Sequence, residues 1–203
     1  MSLLRNRTRS ASSLLTALVA ATALVAVGAT PAAADPASHQ LWGDQTPAHS
    51  VADFDTDALN LSTVFTVDVP GTITAIRFYK ADGNERAAGD RWVAVNPTAT
   101  PSLGANEFLS PEEETDYGWQ TVALSYPFDV EPGVEYTVTY TAFGGVYAYT
   151  YDYFTDGPLT VGPLTAHNST YRYIYRYDGN GDQITGTWRD SSYWVDPVFV
   201  PAA

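Results

Sequence analysis

The chain has 203 residues, of which 10 are Lys or Arg and 23 Asp or Glu, a formal net charge of −13, and it has no cysteine. So acidic a chain repels phosphate, which removes the attraction that dominates nucleic-acid affinity and adhesion to anionic membranes; the missing thiols exclude disulfides, cysteine zinc sites and thiol catalysis. At 45% hydrophobic and 16% charged residues it is too apolar for disorder and long enough for one sizeable core.

In chain order, Arg5, Arg7 and Arg9 precede an apolar and small-residue run over 14–27, broken only by Thr16 and Thr22, and Ala32, Ala33 and Ala34 form a small-x-small cleavage site. This is the pattern of a secretory signal peptide, residues 1–34, with an apolar run short of the roughly 20 residues that span a bilayer. A secreted, extracellular product is expected, with no membrane insertion after signal removal; its seven basic and 23 acidic side chains give a net charge of −16. Residues 35–52 read as an N-terminal extension and 53–203 as a single domain. His39, His49 and His167 lack HExxH-like spacing, so no histidine zinc site is expected.

Period-two alternation marks strands at 61–68 and 72–79 with a Pro70-Gly71 turn between them; in the second, Ile73, Ala75, Arg77 and Tyr79 share one face and Thr72, Thr74, Ile76 and Phe78 the other. Further strands are expected at 91–95, 119–124, 134–143, 147–153, 171–177 and 193–200. Residues 96–117 read as a surface excursion with one short strand near 106–109, and Pro132-Gly133 and Gly144-Gly145 as hairpin corners. About eight strands without helical crossovers predict an all-β fold, an antiparallel β-sandwich of the jelly-roll, immunoglobulin or carbohydrate-binding-module kind.

Two tyrosine rows stand out: Tyr147, Tyr149, Tyr151 and Tyr153, and Tyr171, Tyr173, Tyr175 and Tyr177. In an extended strand each row lies on one face, and two such strands side by side form a cross-strand ladder, either a platform for sugar stacking or part of the core. The intervening residues are mostly small, polar or charged, like an outer face, which turns the rings inward. Glycan contact then falls to the row ends, Tyr147, Tyr153, Tyr171 and Tyr177, with Arg172 and Arg176 on the solvent face as partners for acidic sugars. Trp119 and Trp194 lie in strand motifs and read as core, whereas Trp188, in the loop 186–190, is the candidate exposed aromatic.

The acids suggest calcium more than catalysis. Residues 178–182, Asp-Gly-Asn-Gly-Asp, open like a calcium loop, but Gln183 and Arg189 occupy positions where an EF-hand needs Gly and Glu, and plain turn chemistry explains the segment more simply. By analogy with β-sandwich sugar-binding modules that hold structural calcium between an early loop and an Asp of the last strand, Asp55, Asp57 and Asp196 are the candidate ligands. With 23 acids a carboxylate pair carries no information, and there is no GxSxG elbow, phosphate-cradling loop or dinucleotide fingerprint, so no enzyme is expected.

The ordered series Asp55-Thr56-Asp57, VPGTITAIRFYK (69–80), YGWQTV (117–122), PGVEYTVTY (132–140), a GPLTA pattern within 157–166, YRY and YWVDPVF (193–199) resembles the family called domain of unknown function 4082 over about 53–200. The resemblance implies an exported bacterial protein, of a kind found especially in actinobacteria, and a β-sandwich like carbohydrate-binding and fibronectin-like modules. It implies no established activity. Two functions follow: a non-catalytic module binding an extracellular polysaccharide through exposed aromatics, which is preferred, and a structural or interaction domain that contacts proteins of the cell envelope or extracellular matrix.

Overall fold

A computed structural model describes residues 37–52, 57–84, 90–110 and 113–202. The expected signal peptide, Asp53 and Asp55 lie outside the described residues. Among the described residues there are twelve strands: β1 His49–Ala52, β2 Leu59–Val67, β3 Gly71–Lys80, β4 Arg91–Pro97, β5 Ala105–Leu109, β6 Gly118–Val130, β7 Tyr136–Ala142, β8 Val146–Tyr149, β9 Leu159–Val161, β10 Leu164–Tyr177, β11 Gln183–Gly186 and β12 Val195–Pro201. A large sheet runs β11-β10-β2-β7-β4-β5, with β9 also paired to β10; a smaller one runs β12-β3-β6; β1 and β8 form a two-stranded ribbon. Every pairing is antiparallel, and the fold is an antiparallel β-sandwich.

The three strands not foreseen, β1, β9 and β11, have only three or four residues each, too few for alternation to register. Three expected turns also do different work. Pro70-Gly71, Pro132-Gly133 and Gly144-Gly145 join strands of different sheets, so they are corners between layers instead of hairpins. A tight hairpin forms at Gly162-Pro163, where Val161 pairs with Leu164 and Gly162 has φ +57°, a conformation favoured at the first position of a two-residue turn.

In β3 the expected faces change phase. The register with β12 slips at Thr74, so Ile73 is buried before the slip and Ile76, Phe78 and Lys80 after it. One extra residue in a strand reverses which parity faces the core. Phe78 then stacks on Tyr140 of β7 in the opposite sheet, centroids 4.4 Å apart and rings 6° from parallel. The same core cluster includes Leu61, Phe65, Ile76, Val93, Val138 and Leu164, all fully buried.

Residues 37–52, within the expected N-terminal extension, pack against the sandwich. Leu41 and Trp42 are buried, the backbones of His39 and Phe199 exchange two hydrogen bonds, and β1 pairs with β8. The excursion 96–117 likewise reaches inside at Glu114. This carboxylate is buried between Lys80, whose Nζ donates to Oε2 at 2.7 Å, and Arg91, whose Nε lies 2.5 Å from Oε1. Arg91 also donates to Asn84 Oδ1 and to the Thr141 carbonyl, and Asn84 donates to the Val146 carbonyl, so one buried cluster links β3, β4, β7 and β8.

Removing one charge from such a cluster strands the others in a low-dielectric interior. Glu114→Gln is expected to lower the unfolding free energy by about 3–5 kcal/mol, measured by urea titration. A loss below about 1 kcal/mol, the scale of an exposed pair, would show that the cluster is solvated.

Candidate functional site

At one end of the sandwich the core opens into a cleft of about 330 Å³ lined by Tyr147, Tyr149, Tyr151, Tyr171, Tyr173, Tyr193, Trp188 and Leu59. One wall comes from β10. Tyr171 and Tyr173 pair with Leu61 and Leu59 of β2, and residues paired across antiparallel strands project to the same face, so both rings point to the core side. The other wall comes from β8 and the turn after it, and the loop before β12 contributes Trp188 and Tyr193. The rings are packed on each other: Tyr147 lies 5.9 Å from Tyr149 and 5.8 Å from Tyr193, Tyr149 lies 4.6 Å from Tyr151, and Tyr171 lies 5.7 Å from Tyr173. His49 of β1 stacks on Tyr149 and Tyr151 at the rim, at 5.2 and 5.7 Å.

Backbone strain concentrates here. Among the described residues the non-glycine positions with positive φ are Asp152, Arg189, Asp190 and Trp194, each within two residues of a cleft-lining aromatic. Such conformations cost on the order of 1–3 kcal/mol each and persist where the surroundings enforce them. The enforcement is visible. Asp152 N–H donates to the Arg189 carbonyl and Phe154 N–H to the Asp190 carbonyl, while the Arg189 guanidinium grips the Asp152 carboxylate at 2.6 Å and lies 4.3 Å over the Tyr151 ring. The two turns are thereby zipped together, with Tyr151 and Trp188 held on the cleft side.

Of the residues expected at a glycan site, Tyr147, Tyr171 and Trp188 line the cleft, and Trp188 is 58% exposed. Tyr153 does not. The left-handed backbone at Asp152 breaks the row after Tyr151, and Tyr153 turns back to accept a hydrogen bond from Trp42 Nε1 at 3.0 Å. Tyr177 does not either: β2 begins opposite Tyr173, so β10 runs on beyond it and leaves Tyr175 and Tyr177 exposed. The two rows form no side-by-side ladder, since β8 and β10 belong to different sheets and face each other across the cleft. Arg176 pairs with Asp57 and covers the Tyr173 ring at 4.6 Å, bracing a wall, whereas Arg172 projects to the outer face. Tyr149, Tyr151 and Tyr173, interior to the rows, and Tyr193, within the YWVDPVF motif, were not singled out by position alone.

Of the expected calcium ligands, Asp55 lies outside the described residues, and Asp57 and Asp196 have partners within the fold. Asp57 is engaged by Arg176. Asp196 is fully buried, and its oxygens accept the N–H groups of Leu41 at 2.8 Å and Trp42 at 3.4 Å and face Arg77 at 3.6 Å. Among the described residues no group of three His, Asp or Glu is placed to hold a metal ion. In 178–182 the Asp178 carboxylate accepts the N–H groups of Asn180 and Asp182, bonds that hold it below the usual carboxylate range and close the β10–β11 hairpin.

Fold and cleft together define an antiparallel β-sandwich with an aromatic cleft at one end. Residues 44–195 match the family described as domain of unknown function (DUF4082), and the chain belongs to that family. No curated protein matches it.

Asp196 gives the fold a pH dependence. Burial pushes its carboxyl up from 3.8 to about 6, against the opposing pull of the Leu41 N–H, Arg77 and the Trp42 N–H. A raised folded-state value means the native state holds the proton more tightly, so this contribution is fully present below about 3.8 and lost as pH rises through about 6. Asp196→Asn cannot titrate. The melting-temperature difference, wild type minus variant, is expected to fall between about pH 4 and pH 7; a difference independent of pH would contradict the assignment.

Proposed function

We propose that the protein is a secreted, non-catalytic module that binds carbohydrate in the aromatic cleft. The observation that carries this reading is the cleft's lining: six tyrosines and a tryptophan, from opposing walls, with no charged residue lining it among the described residues. Aromatic faces stack on the apolar faces of pyranose rings, and phenol edges supply the polar contacts that sugar hydroxyls need. A volume of about 330 Å³ is at the small end of ligand pockets and suits a short stretch of sugar chain. The walls are braced by ion pairs and strained turns, so little ordering cost remains at binding. The export-signal pattern over 1–34 supports a site of action outside the cell.

The test is retention of the signal-free chain on a panel of soluble and insoluble polysaccharides, followed by calorimetry on those that retain it. Trp188→Ala and Tyr173→Ala are each expected to weaken binding about tenfold or more; the exposed Trp188 variant should keep its melting temperature. No retention on any polysaccharide, together with self-association in solution, would favour the structural role instead.

A further inference from the structure

We propose that the bound glycan continues out of the cleft across the outer face of the large sheet, and that Arg172 there reads an isolated carboxylate on a sparsely charged acidic polysaccharide. This rests on the carbohydrate reading of the cleft. A second and larger cavity, about 970 Å³, lies on that outer face, and Tyr171 lines both it and the cleft. The ring of Tyr171 lies over β11 at Gly186, its register partner: a Cβ at 186 would lie 2.9 Å from the Tyr171 hydroxyl oxygen, so bare backbone is what admits the ring there, beside the edge strand that separates the two cavities.

The groove runs across the strands. Thr170, Ser62, Thr139, Ala94 and Asn106 are successive register partners on β10, β2, β7, β4 and β5, and strands spaced about 4.8 Å apart make that row about 19 Å long. Hydroxyls and amides line it, and Trp92 adds an aromatic surface towards β5. An elongated, polar groove with one stacking platform fits a chain of sugars better than a compact ligand.

Charge supplies the second half of the argument. The protein has 23 acidic residues, yet among the described residues no Asp or Glu lines either cavity. Among the described residues Arg172 is also the one charged side chain lining either, it is exposed, and no carboxylate pairs with it. A guanidinium is suited to a carboxylate through two parallel hydrogen bonds. A densely charged polyanion would meet one favourable contact and the repulsion of a net charge of −13. A glycan with widely spaced uronate units keeps the contact and, beyond a screening length of about 8 Å, escapes most of the repulsion.

The experiment compares affinities of the protein for gellan and glucuronoxylan, which carry sparse glucuronate, for their carboxyl-reduced forms, and for polygalacturonate. The native sparse polymers are expected to bind about tenfold more tightly than their reduced forms, and Arg172→Gln to erase that preference without weakening binding to the reduced forms. Trp188→Ala should weaken both forms alike. Equal affinity for native and reduced polymers, a preference that survives in Arg172→Gln, or tightest binding to polygalacturonate would overturn the inference and leave the cleft reading intact. No binding to any neutral or acidic polymer would overturn the cleft reading, and the inference with it.

Discussion

A buried carboxylate, Asp196 in the last strand, ties the segment at Leu41 and Trp42 to the end of the sandwich domain. An ion withdrawn from water costs several kcal/mol unless donors converge on it, and here three do: the N–H groups of Leu41 and Trp42 and the guanidinium of Arg77. Satisfying Asp196 therefore fixes the segment around Leu41 and Trp42 against the last strand. Trp42 is thereby set 5.6 Å from Trp194, and its indole N–H reaches the Tyr153 hydroxyl. Tyr153 in turn anchors the turn that carries Tyr151 to the cleft. Three sites distant in sequence become one causal chain, from a charge in the core to an aromatic wall at the end of the sandwich.

Thr150 reinforces that wall from its other side. Its backbone exchanges two hydrogen bonds with Ser192, and its hydroxyl oxygen accepts from Trp194 Nε1 and from the Ala48 N–H. Trp194 holds a left-handed backbone that a bulky aromatic adopts only under constraint. Together with the Asp152–Arg189 zipper, these contacts form a rigid frame behind Tyr149, Tyr151, Trp188 and Tyr193. A frame that holds strain in place keeps rings in position before a ligand arrives, the arrangement that lowers the entropy lost on binding.

The long strands and the sandwich class were legible from alternation, which reports one buried face, as in β6, where Gln120, Val122 and Leu124 are buried and Thr121, Ala123 and Ser125 exposed. Single-residue slips were not: the bulge at Thr74 shifts the register of β3, Ala75 and Arg77 are buried along with Ile76 and Phe78, and nothing in the run of residues announces it. The site was legible in part for the same reason. Tyr147 and Tyr171 lie where a regular strand puts them, and Trp188 was marked by its loop. Tyr153 and Tyr177 leave the line of their rows because a positive φ at Asp152 and the starting point of β2 opposite Tyr173 are tertiary facts. The acids are a similar case. Asp57 and Asp196 are expected metal ligands and Glu114 falls in the expected surface excursion, and each has a guanidinium or ammonium partner supplied by a strand remote in sequence.

That pairing changes the meaning of the chain's acidity. Asp57, Glu114, Asp152 and Asp196 are all committed to cations within the fold, so part of the acidic charge holds elements together. Among the described residues no acid lines either cavity, and the lining is aromatic in one and hydroxyl- and amide-rich in the other. Under the carbohydrate reading proposed above, cavities poor in charge on a chain acidic in general discourage cationic and anionic polymers for opposite reasons: the first find no acidic partner there, and the second are repelled on approach. A ligand with many hydroxyls and little charge meets neither obstacle, and Arg172 on the outer face is then where charge on such a ligand is met by charge on the protein.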